Sequence, residues 1–257
     1  MSRGIFGRWH AGLLFILVSG CAHMQHAVLP WQSAQQMVLV TTPDWNADHG
    51  VLRRFERNTS GWNLVGQPQP VMLGRSGSAW GLGLHPTQTS GPIKREGDGR
   101  SPAGIFGIGE AFGYAPATDT ALQYRATQAS DYCVDVSGSP LYNRIVDTRE
   151  VGEAAIAGAT EPMRRDLHAD GDQRYRLGFV IEHNLQAQPM GGSCIFAHLW
   201  KSPSNATTGC TAMDPLTMEA ALAWLQPAKS PVFVLLPKQE YLRLQIAWHL
   251  PSGAADD

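Results

Sequence analysis

The chain has 257 residues, with 20 Lys or Arg and 22 Asp or Glu, so its formal net charge is −2. This balance gives no support for a nucleic-acid partner, which usually requires a basic face, and 43% hydrophobic with 16% charged residues excludes a disordered chain. Four cysteines are too few for a disulfide scaffold, but they suffice for one bridge and one reactive thiol.

Residues 1–20 predict a secretory signal peptide. Two arginines precede the apolar run 11–18, which is too short to span a bilayer as a helix. The following Val-Ser-Gly before Cys21 resembles a bacterial lipobox, in which Cys21 is acylated and becomes the new N-terminus. An ordinary signal cleaved near Ala22 is the alternative. The lipobox implies a periplasmic protein anchored by lipid at the outer membrane, with residues 21–35 as a tether.

Residues 36–250 predict one β-rich domain. Runs of β-branched and aromatic residues bounded by turn residues are typical of short strands. The expected strands are 37–41, 51–57, 62–65, 70–73, 175–182, 194–200 and 231–236, with 241–248 pairing beside the last. Because most of them follow one another without helices between them, we expect a meander or a β-sandwich rather than βαβ units.

Helices are expected at two places only. The better one covers 215–225, where proline occupies the first helical position and Asp214 caps it. A weaker helix over 153–165 is interrupted by a glycine and a proline. The glycine-rich stretch 74–104 predicts a long ordered loop, and loops of that length are often functional.

Candidate catalytic residues concentrate around the last cysteine. His198 lies late in an apolar strand, and Cys210 follows Gly209 on a turn just ahead of the expected helix. A cysteine nucleophile needs a nearby base and N–H donors, and a helix N-terminus favours its thiolate. We therefore expect a thiolate–imidazole pair, although the spacing also fits two unrelated core residues. A zinc site would use the same pair with Cys194 and His183, but it lacks Cys-x-x-Cys spacing.

The His198 strand and the Thr-Thr-Gly-Cys turn resemble the signature of the YkuD-type L,D-transpeptidases. The likeness extends to a subgroup with a Gly-Ser-Cys-Ile-Phe-x-His strand, here 192–198, and a Gly-Cys-Thr-Ala-Met ending, here 209–213. Further matching segments are 96–106, 111–114, 133–135 and 142–146, within a resemblance over residues 36–240. It implies a mainly β, YkuD-like catalytic domain with one or two short helices, and no metal or organic cofactor.

The resemblance also implies a mechanism. His198 takes the proton of Cys210, whose sulfur attacks the carbonyl of the third residue of a peptidoglycan tetrapeptide stem. The N–H groups of Gly209, Cys210 and Thr211 would stabilise the oxyanion, terminal D-Ala leaves, and an amine of a second stem resolves the thioester into a 3→3 crosslink. The alternatives are an L,D-carboxypeptidase or amidase that hydrolyses stem-peptide links at the same site, and a non-catalytic, lipid-anchored wall-binding protein.

Two positions depart from the family pattern. Thr208 stands in place of a second histidine, and Ala212 in place of an arginine. Arg100 or Arg144 could supply the missing guanidinium, which would bind a substrate carboxylate through two hydrogen bonds. His183 could line the pocket, and Thr208 is also a candidate for substrate binding. Structural roles are the alternatives for Arg100, Arg144 and His183.

Cys133 and Cys194 remain, and a secreted context favours a disulfide between them. The bridge would pin the segment 131–135 to the strand before His198. Two separate buried thiols are one alternative, and a bond from Cys210 to either of them, which would switch catalysis off, is another.

Overall fold

The computed structural model describes residues 29–254, together with Met1 and Gly4. Most of the expected signal peptide, Cys21 and the first part of the expected tether therefore lie outside the described residues. Among the residues described, no helix has the length and apolar character that crossing a membrane would require.

The second part of the expected tether belongs to the folded body. Trp31 is only 3% exposed, and its indole N–H donates to the main-chain oxygen of Trp248 at 2.9 Å. The two indole rings meet edge to face at 5.5 Å. Residues between Leu29 and residue 36 therefore belong to the folded body, because Trp31 fills part of the core.

Strand residues outnumber helical residues, 34% to 14%, so the prediction of a mainly β protein is confirmed. The strands are β1 (Gln36–Thr42), β2 (His49–Asn58), β3 (Gly61–Met72), β4 (Ser78–Trp80), β5 (Ser101–Gly113), β6 (Tyr124–Ala126), β7 (Asp131–Cys133), β8 (Ile145–Asp147), β9 (Glu161–Pro162), β10 (Leu177–Ile181), β11 (Phe196–Leu199), β12 (Thr211–Met213) and β13 (Val232–Pro237). The α-helices are α1 (Thr148–Val151), α2 (Arg165–His168), α3 (Pro215–Trp224) and α4 (Lys238–Leu244).

Eight of these strands close into a barrel-like sheet rather than the two layers of a sandwich. The order is β10-β11-β12-β3-β2-β1-β13-β5, and β5 also pairs with β10, which closes the ring. β5 is 13 residues long. Its first half pairs with β13 and β4, and its second half pairs with β10 and β6. β5 therefore joins the two ends of what would otherwise be an open sheet.

The interior of this sheet holds the main hydrophobic core. β1 and β13 run parallel and are buried at every position, which explains the apolar runs 37–40 and 232–237. Phe106, Phe179 and Phe233 are fully buried in the same core. Burying one such side chain contributes about 2 kcal/mol, so this core dominates the stability of the sheet.

The expected elements compare unevenly with the observed ones. The helix with Asp214 as its cap is present as α3, and the Asp214 carboxylate accepts the N–H of Thr217 at 3.0 Å. The expected strand 241–248 is wrong, because α4 covers its first half. Tyr241 and Leu244 are buried three positions apart, which is a helical spacing.

Two other stretches are more regular or more broken than expected. The glycine-rich stretch 74–104 contains β4 and the start of β5, so it is not one loop. The expected helix 153–165 is replaced by a 3-10 turn at 153–156, strand β9, and α2 beginning at its end. A proline in β9 cannot donate a helical hydrogen bond, which accounts for the break.

Residues 127–172, which we call the cap, lie between β6 and β10 in the chain. Their three strands form a separate sheet in the order β8-β7-β9. A second hydrophobic cluster includes Cys133 and Met163 of the cap and Cys194, Phe196 and Cys210 of the barrel. The cap therefore packs directly on the strand ends that carry the candidate nucleophile.

Candidate active site

His198 reaches the cavity from β11, and Cys210 reaches it from the position just before β12, the parallel neighbour of β11. His198 lies on β11 opposite Ala212 of β12, and Cys210 is two residues before Ala212. Because side chains alternate along a strand, Cys210 continues the face on which Ala212 lies. Both side chains line a cavity of about 270 Å³. The pairing expected from the sequence is thus brought together in space.

The imidazole of His198 is fixed by the main chain. Its Nδ1 is 2.8 Å from the carbonyl oxygen of Leu199, and a carbonyl only accepts, so Nδ1 carries the proton. Nε2 is then a free base. His198 is 3% exposed, and burial lowers its pKa to about 4. The ring is therefore neutral at physiological pH and able to accept a proton.

The thiol of Cys210 is the one free cysteine among the described residues. It is 7% exposed, its Sγ accepts the N–H of Phe196 at 3.4 Å, and it donates to the carbonyl of Cys194 at 3.6 Å. Burial, together with the nearby Glu161 carboxylate, raises the pKa of the thiol to about 12. The resting pair is a neutral thiol and a neutral imidazole, so the expected thiolate–imidazole pair is not the resting state.

A helix N-terminus does not help the thiol. Cys210 is followed by β12, and α3 begins only at Pro215. The dipole effect falls off within the first helical turn, so the intervening strand places Cys210 beyond it. The sequence-based argument from helix proximity is therefore wrong.

The turn before Cys210 is held by hydroxyl groups. Gly209 has φ +152°, and a Cβ there would lie 3.1 Å from the carbonyl oxygen of Arg100. The N–H of Gly209 donates to Thr207 Oγ1 at 3.1 Å, and Thr207 Oγ1 donates to the oxygen of Cys210 at 2.7 Å. Gly209 is thus an unsuitable oxyanion donor in this arrangement. Thr211, also expected as a donor, lies in β12 paired with Ala197.

The other walls of the cavity come from the cap and from the segment leading into β10. They include Glu161, Arg165, Arg174 and Tyr175. Arg165 Nη1 contacts the Glu161 carboxylate at 3.0 Å, and its Nε contacts Asp172 at 3.0 Å. Arg174 binds the same Asp172 carboxylate through Nε and Nη2, at 2.9 and 2.5 Å.

Sequence reasoning missed these wall residues. Glu161 fell in a segment expected to be helical, and Arg165 at its end. The available signal was the density of charge over 161–176 immediately before a buried strand, because such a run is unusual beside a core element unless its charges are paired. Arg174 lies near Ala212, the position at which the family pattern has an arginine, since both residues line a neighbouring cavity of about 150 Å³ with His198.

The expected substrate-binding residues are distributed differently. Thr208 lines the cavity. The guanidinium of Arg100 donates hydrogen bonds to the main-chain oxygens of Trp45 and Ser78, at 3.0 and 2.9 Å. Arg144 is exposed and does not line the cavity. These bonds give Arg100 a structural role.

His183 also has a structural role. Its Nδ1 accepts the N–H of Leu82 at 3.1 Å, and its Nε2 lies 3.0 Å from the carbonyl of Gly191, to which it donates. Both ring nitrogens are therefore occupied. Burial lowers the pKa of His183 to about 4, so it is neutral. The structure does not bring it to the cavity of Cys210.

Cys133 and Cys194 form a disulfide, the pairing expected from the sequence. The bond joins β7 of the cap to the residue two positions before β11. It also removes Cys194 from the zinc set considered above. Within residues 29–254, no three His, Cys, Asp or Glu side chains are grouped so that they could hold a metal ion.

Comparisons of the chain with protein-family models, curated proteins and solved structures find no match.

Proposed function

We propose that this protein is a cysteine acyltransferase of the L,D-transpeptidase type that acts on tetrapeptide stems of peptidoglycan. The observation that carries the proposal is the shared cavity of Cys210 and His198, in which the Nδ1–H of His198 is held by Leu199 and Nε2 is left as the base. The resemblance of the motifs around both residues to the YkuD-type family suggests the reaction that this pair would catalyse. The mainly β fold is compatible with that family.

Both groups begin neutral, so the proton moves as the nucleophile attacks. His198 Nε2 takes the thiol proton while Sγ of Cys210 bonds to the carbonyl carbon of the third stem residue. The N–H of Cys210 is the donor we assign to the oxyanion, because that of Gly209 is committed to Thr207. When the tetrahedral intermediate collapses, His198 returns the proton to the amine of D-Ala, which leaves, and a thioester remains on Cys210.

An amine of an acceptor then completes the reaction. It attacks the thioester carbonyl and gives its proton to His198, which passes the proton to the sulfur of Cys210 as the C–S bond breaks. The new amide bond is a 3→3 crosslink or a related cell-wall linkage. Water in place of the amine would give hydrolysis.

Two guanidinium groups support a substrate rich in carboxylates. Arg165 and Arg174 line the cavity beside Cys210, and Asp172 holds both in fixed orientations. Stem peptides carry carboxylates on either side of the scissile bond. Arg165 Nη2 and Arg174 Nη1 take no part in the bonds to Asp172 and Glu161, so they can donate to a substrate carboxylate. We assign substrate anchoring to this pair in place of Arg100 and Arg144.

The proposed location agrees with this substrate. A lipid on Cys21 would hold the protein at the outer membrane, with the folded body in the periplasm beside peptidoglycan. The Cys133–Cys194 disulfide is compatible with that oxidising compartment.

The test is incubation with purified disaccharide-tetrapeptides, with and without an amine acceptor, followed by mass spectrometry of the products. We expect a crosslinked dimer, lost in Cys210→Ala and in His198→Ala. Shortened monomers both with and without the amine acceptor would show that the enzyme hydrolyses the stem instead of transferring it. If there is no turnover and both variants bind sacculi as well as the wild type, the protein is a wall-binding protein and not an enzyme.

A further inference from the structure

We propose that Asn143 of the cap is a positioning residue that holds the Cys210 thiol through the main chain of Cys194. The proposal rests on the role of Cys210 as nucleophile in the proposed function. Asn143 lies between β7 and β8 and does not line the cavity that His198 and Cys210 share. It therefore acts through residues 194–196, where the chain enters β11.

The sulfur of Cys210 has two main-chain partners, and both belong to this short segment. Its Sγ accepts the N–H of Phe196 at 3.4 Å and donates to the carbonyl oxygen of Cys194 at 3.6 Å. A hydrogen bond stabilises the protonation state that makes it, so the N–H favours the thiolate and the carbonyl favours the thiol. The direction in which the Cys194 carbonyl points thus affects both the position and the acidity of the thiol.

The backbone of Cys194 has a conformation that its residue type rarely adopts. Its φ is +55°, in the left-handed region. Asparagine and aspartate enter this region more readily than other residues, because their short polar side chains can hydrogen-bond locally. Cysteine lacks that advantage, and such a backbone persists only where surrounding groups hold it. We therefore looked for the groups that hold Cys194.

These groups come from the cap. Oδ1 of Asn143 accepts the N–H of Cys194 at 2.8 Å, and the side chain of Cys194 is bonded to Cys133 of β7. Nδ2 of Asn143 donates to the carbonyl oxygens of His183 and Asn184, at 2.8 and 3.0 Å. Because a carbonyl only accepts and an N–H only donates, the orientation of the amide is settled. One side chain of the cap therefore fixes the peptide of Cys194 relative to the end of β10.

The residue before Asn143 holds the same turn. The hydroxyl of Tyr142 accepts the N–H of Gly192 at 3.2 Å and donates to the carboxylate of Glu96. The same carboxylate accepts the hydroxyl of Ser193 at 2.7 Å. Tyr142 thus anchors the approach to Cys194, whereas Asn143 contacts the residue whose carbonyl meets the thiol.

The experiment measures how fast methyl methanethiosulfonate, a small thiol reagent, modifies Cys210 at pH 7 in the full chain. Peptide mass mapping assigns the label to Cys210. Asn143→Gly removes the amide and introduces a residue that tolerates the φ of +62° at this position. Asn143→Asp keeps an oxygen that accepts from Cys194 but loses the two bonds to carbonyl groups.

Asn184→Gly is the matched control. Asn184 also has a positive φ, +53°, and its side chain also makes three hydrogen bonds to the main chain. Those bonds go to Gln188 and Gly192 instead of Cys194. The control therefore removes a similar set of contacts without touching the residue that meets the thiol.

We expect Asn143→Gly to be modified about tenfold faster than the wild type, equivalent to one pKa unit of the thiol, because the thiol loses the acceptor that stabilises its neutral form. Asn143→Asp should be no faster than the wild type, since its oxygen still holds Cys194. Asn184→Gly should be modified at the wild-type rate, even where thermal unfolding shows that it is destabilised as much as Asn143→Gly.

Three results would overturn the assignment. The first is a folded Asn143→Gly protein that is modified at the wild-type rate, and the second is an Asn143→Asp protein modified as fast as Asn143→Gly. The third needs no variant: rapid exchange of the Cys194 amide hydrogen with solvent in the wild type, followed by NMR. Modification requires no peptidoglycan substrate, so failure of the muropeptide test with the expected modification rates would remove the proposed function and leave the positioning of the thiol.

Discussion

At the scale of single residues, burial sets the protonation state of both candidate catalytic groups. The pKa of His198 is lowered to about 4, and that of Cys210 is raised to about 12. Each shift disfavours the charged form, as desolvation does for any ionisable group. A neutral pair suits an enzyme whose thiol must become nucleophilic only when a substrate carbonyl is in reach.

The buried histidines predict loss of stability in acid. His183 and His198 have pKa values near 4 when folded, against an ordinary 6.5, so the unfolded chain binds their protons more readily. Each neutral histidine contributes about 3 kcal/mol to the free energy of unfolding. This contribution is complete above pH 6.5 and is lost as the pH falls through about 4. Urea unfolding of wild type and His183→Asn at pH 7 and pH 4.5 tests this. The wild type should lose about 2 kcal/mol more than the variant between these pH values, and equal losses would contradict the account.

We expect a substitution of Gly209 to destabilise the turn before the candidate nucleophile. Gly209→Ala places a Cβ on a backbone with φ +152° and 3.1 Å from the Arg100 oxygen, so we expect about 1–3 kcal/mol of lost stability and displacement of Cys210. Gly138→Ala is the control, because Gly138 also has a positive φ but no atom near its Cβ position. The measurements are the free energy of unfolding and the rate at which methyl methanethiosulfonate, a small thiol reagent, modifies Cys210. A change in stability without any change at Cys210 would show that the turn does not position the thiol.

The parts of the site that sequence reasoning located are those with local signals. Cys210 follows a glycine turn and His198 ends an apolar strand, and adjacent strands brought them together. Glu161 and Tyr175 have no such signal, because they come to line the cavity of Cys210 only when the cap packs against the barrel. Thr207 was missed for the same reason, since its hydroxyl matters only through its bonds to Gly209 and Cys210.

At the scale of elements, sequence patterns that span several residues predicted the structure, and short patterns did not. β1, β13 and α3 were predicted because their apolar runs or caps span several residues. β9 has only two residues, and α2 only four, so neither has a periodicity of its own to read. α4 was mistaken for a strand, although its buried residues have helical spacing.

The disulfide predicts a link between cap stability and thiol reactivity. Cys133 and Cys194 are 61 positions apart, and closing a loop of that size contributes about 4 kcal/mol in the chain-entropy account. The variant that combines Cys133→Ser with Cys194→Ser should lose stability of that order. Its Cys210 should be modified by methyl methanethiosulfonate faster than that of the wild type, because the cap is no longer bonded to the residues around the thiol. Reduced wild type is the matched comparison. A double variant with wild-type stability and wild-type rates would mean that the bond does not hold the cap on the site.

At the scale of the whole molecule, a closed barrel-like sheet supports a cap that completes the cavity. The barrel supplies the nucleophile and base, and the cap supplies Glu161 and Arg165. The closure of the sheet was not predictable from the sequence, because it depends on β5 pairing in its two halves with strands that are distant in the chain. The charged wall of the cavity therefore comes from the cap and from the segment before β10 rather than from the barrel strands.

The most direct measurement of the central claim is the intact mass of the protein after a short exposure to tetrapeptide stem without an acceptor amine. We predict an added acyl group equal to the stem without its terminal D-Ala, mapped to Cys210 and removed by hydroxylamine, as a thioester requires. His198→Ala should accumulate it far more slowly. Wild-type protein that releases D-Ala without acylation of Cys210, or that carries the acyl group on another residue, would contradict the account.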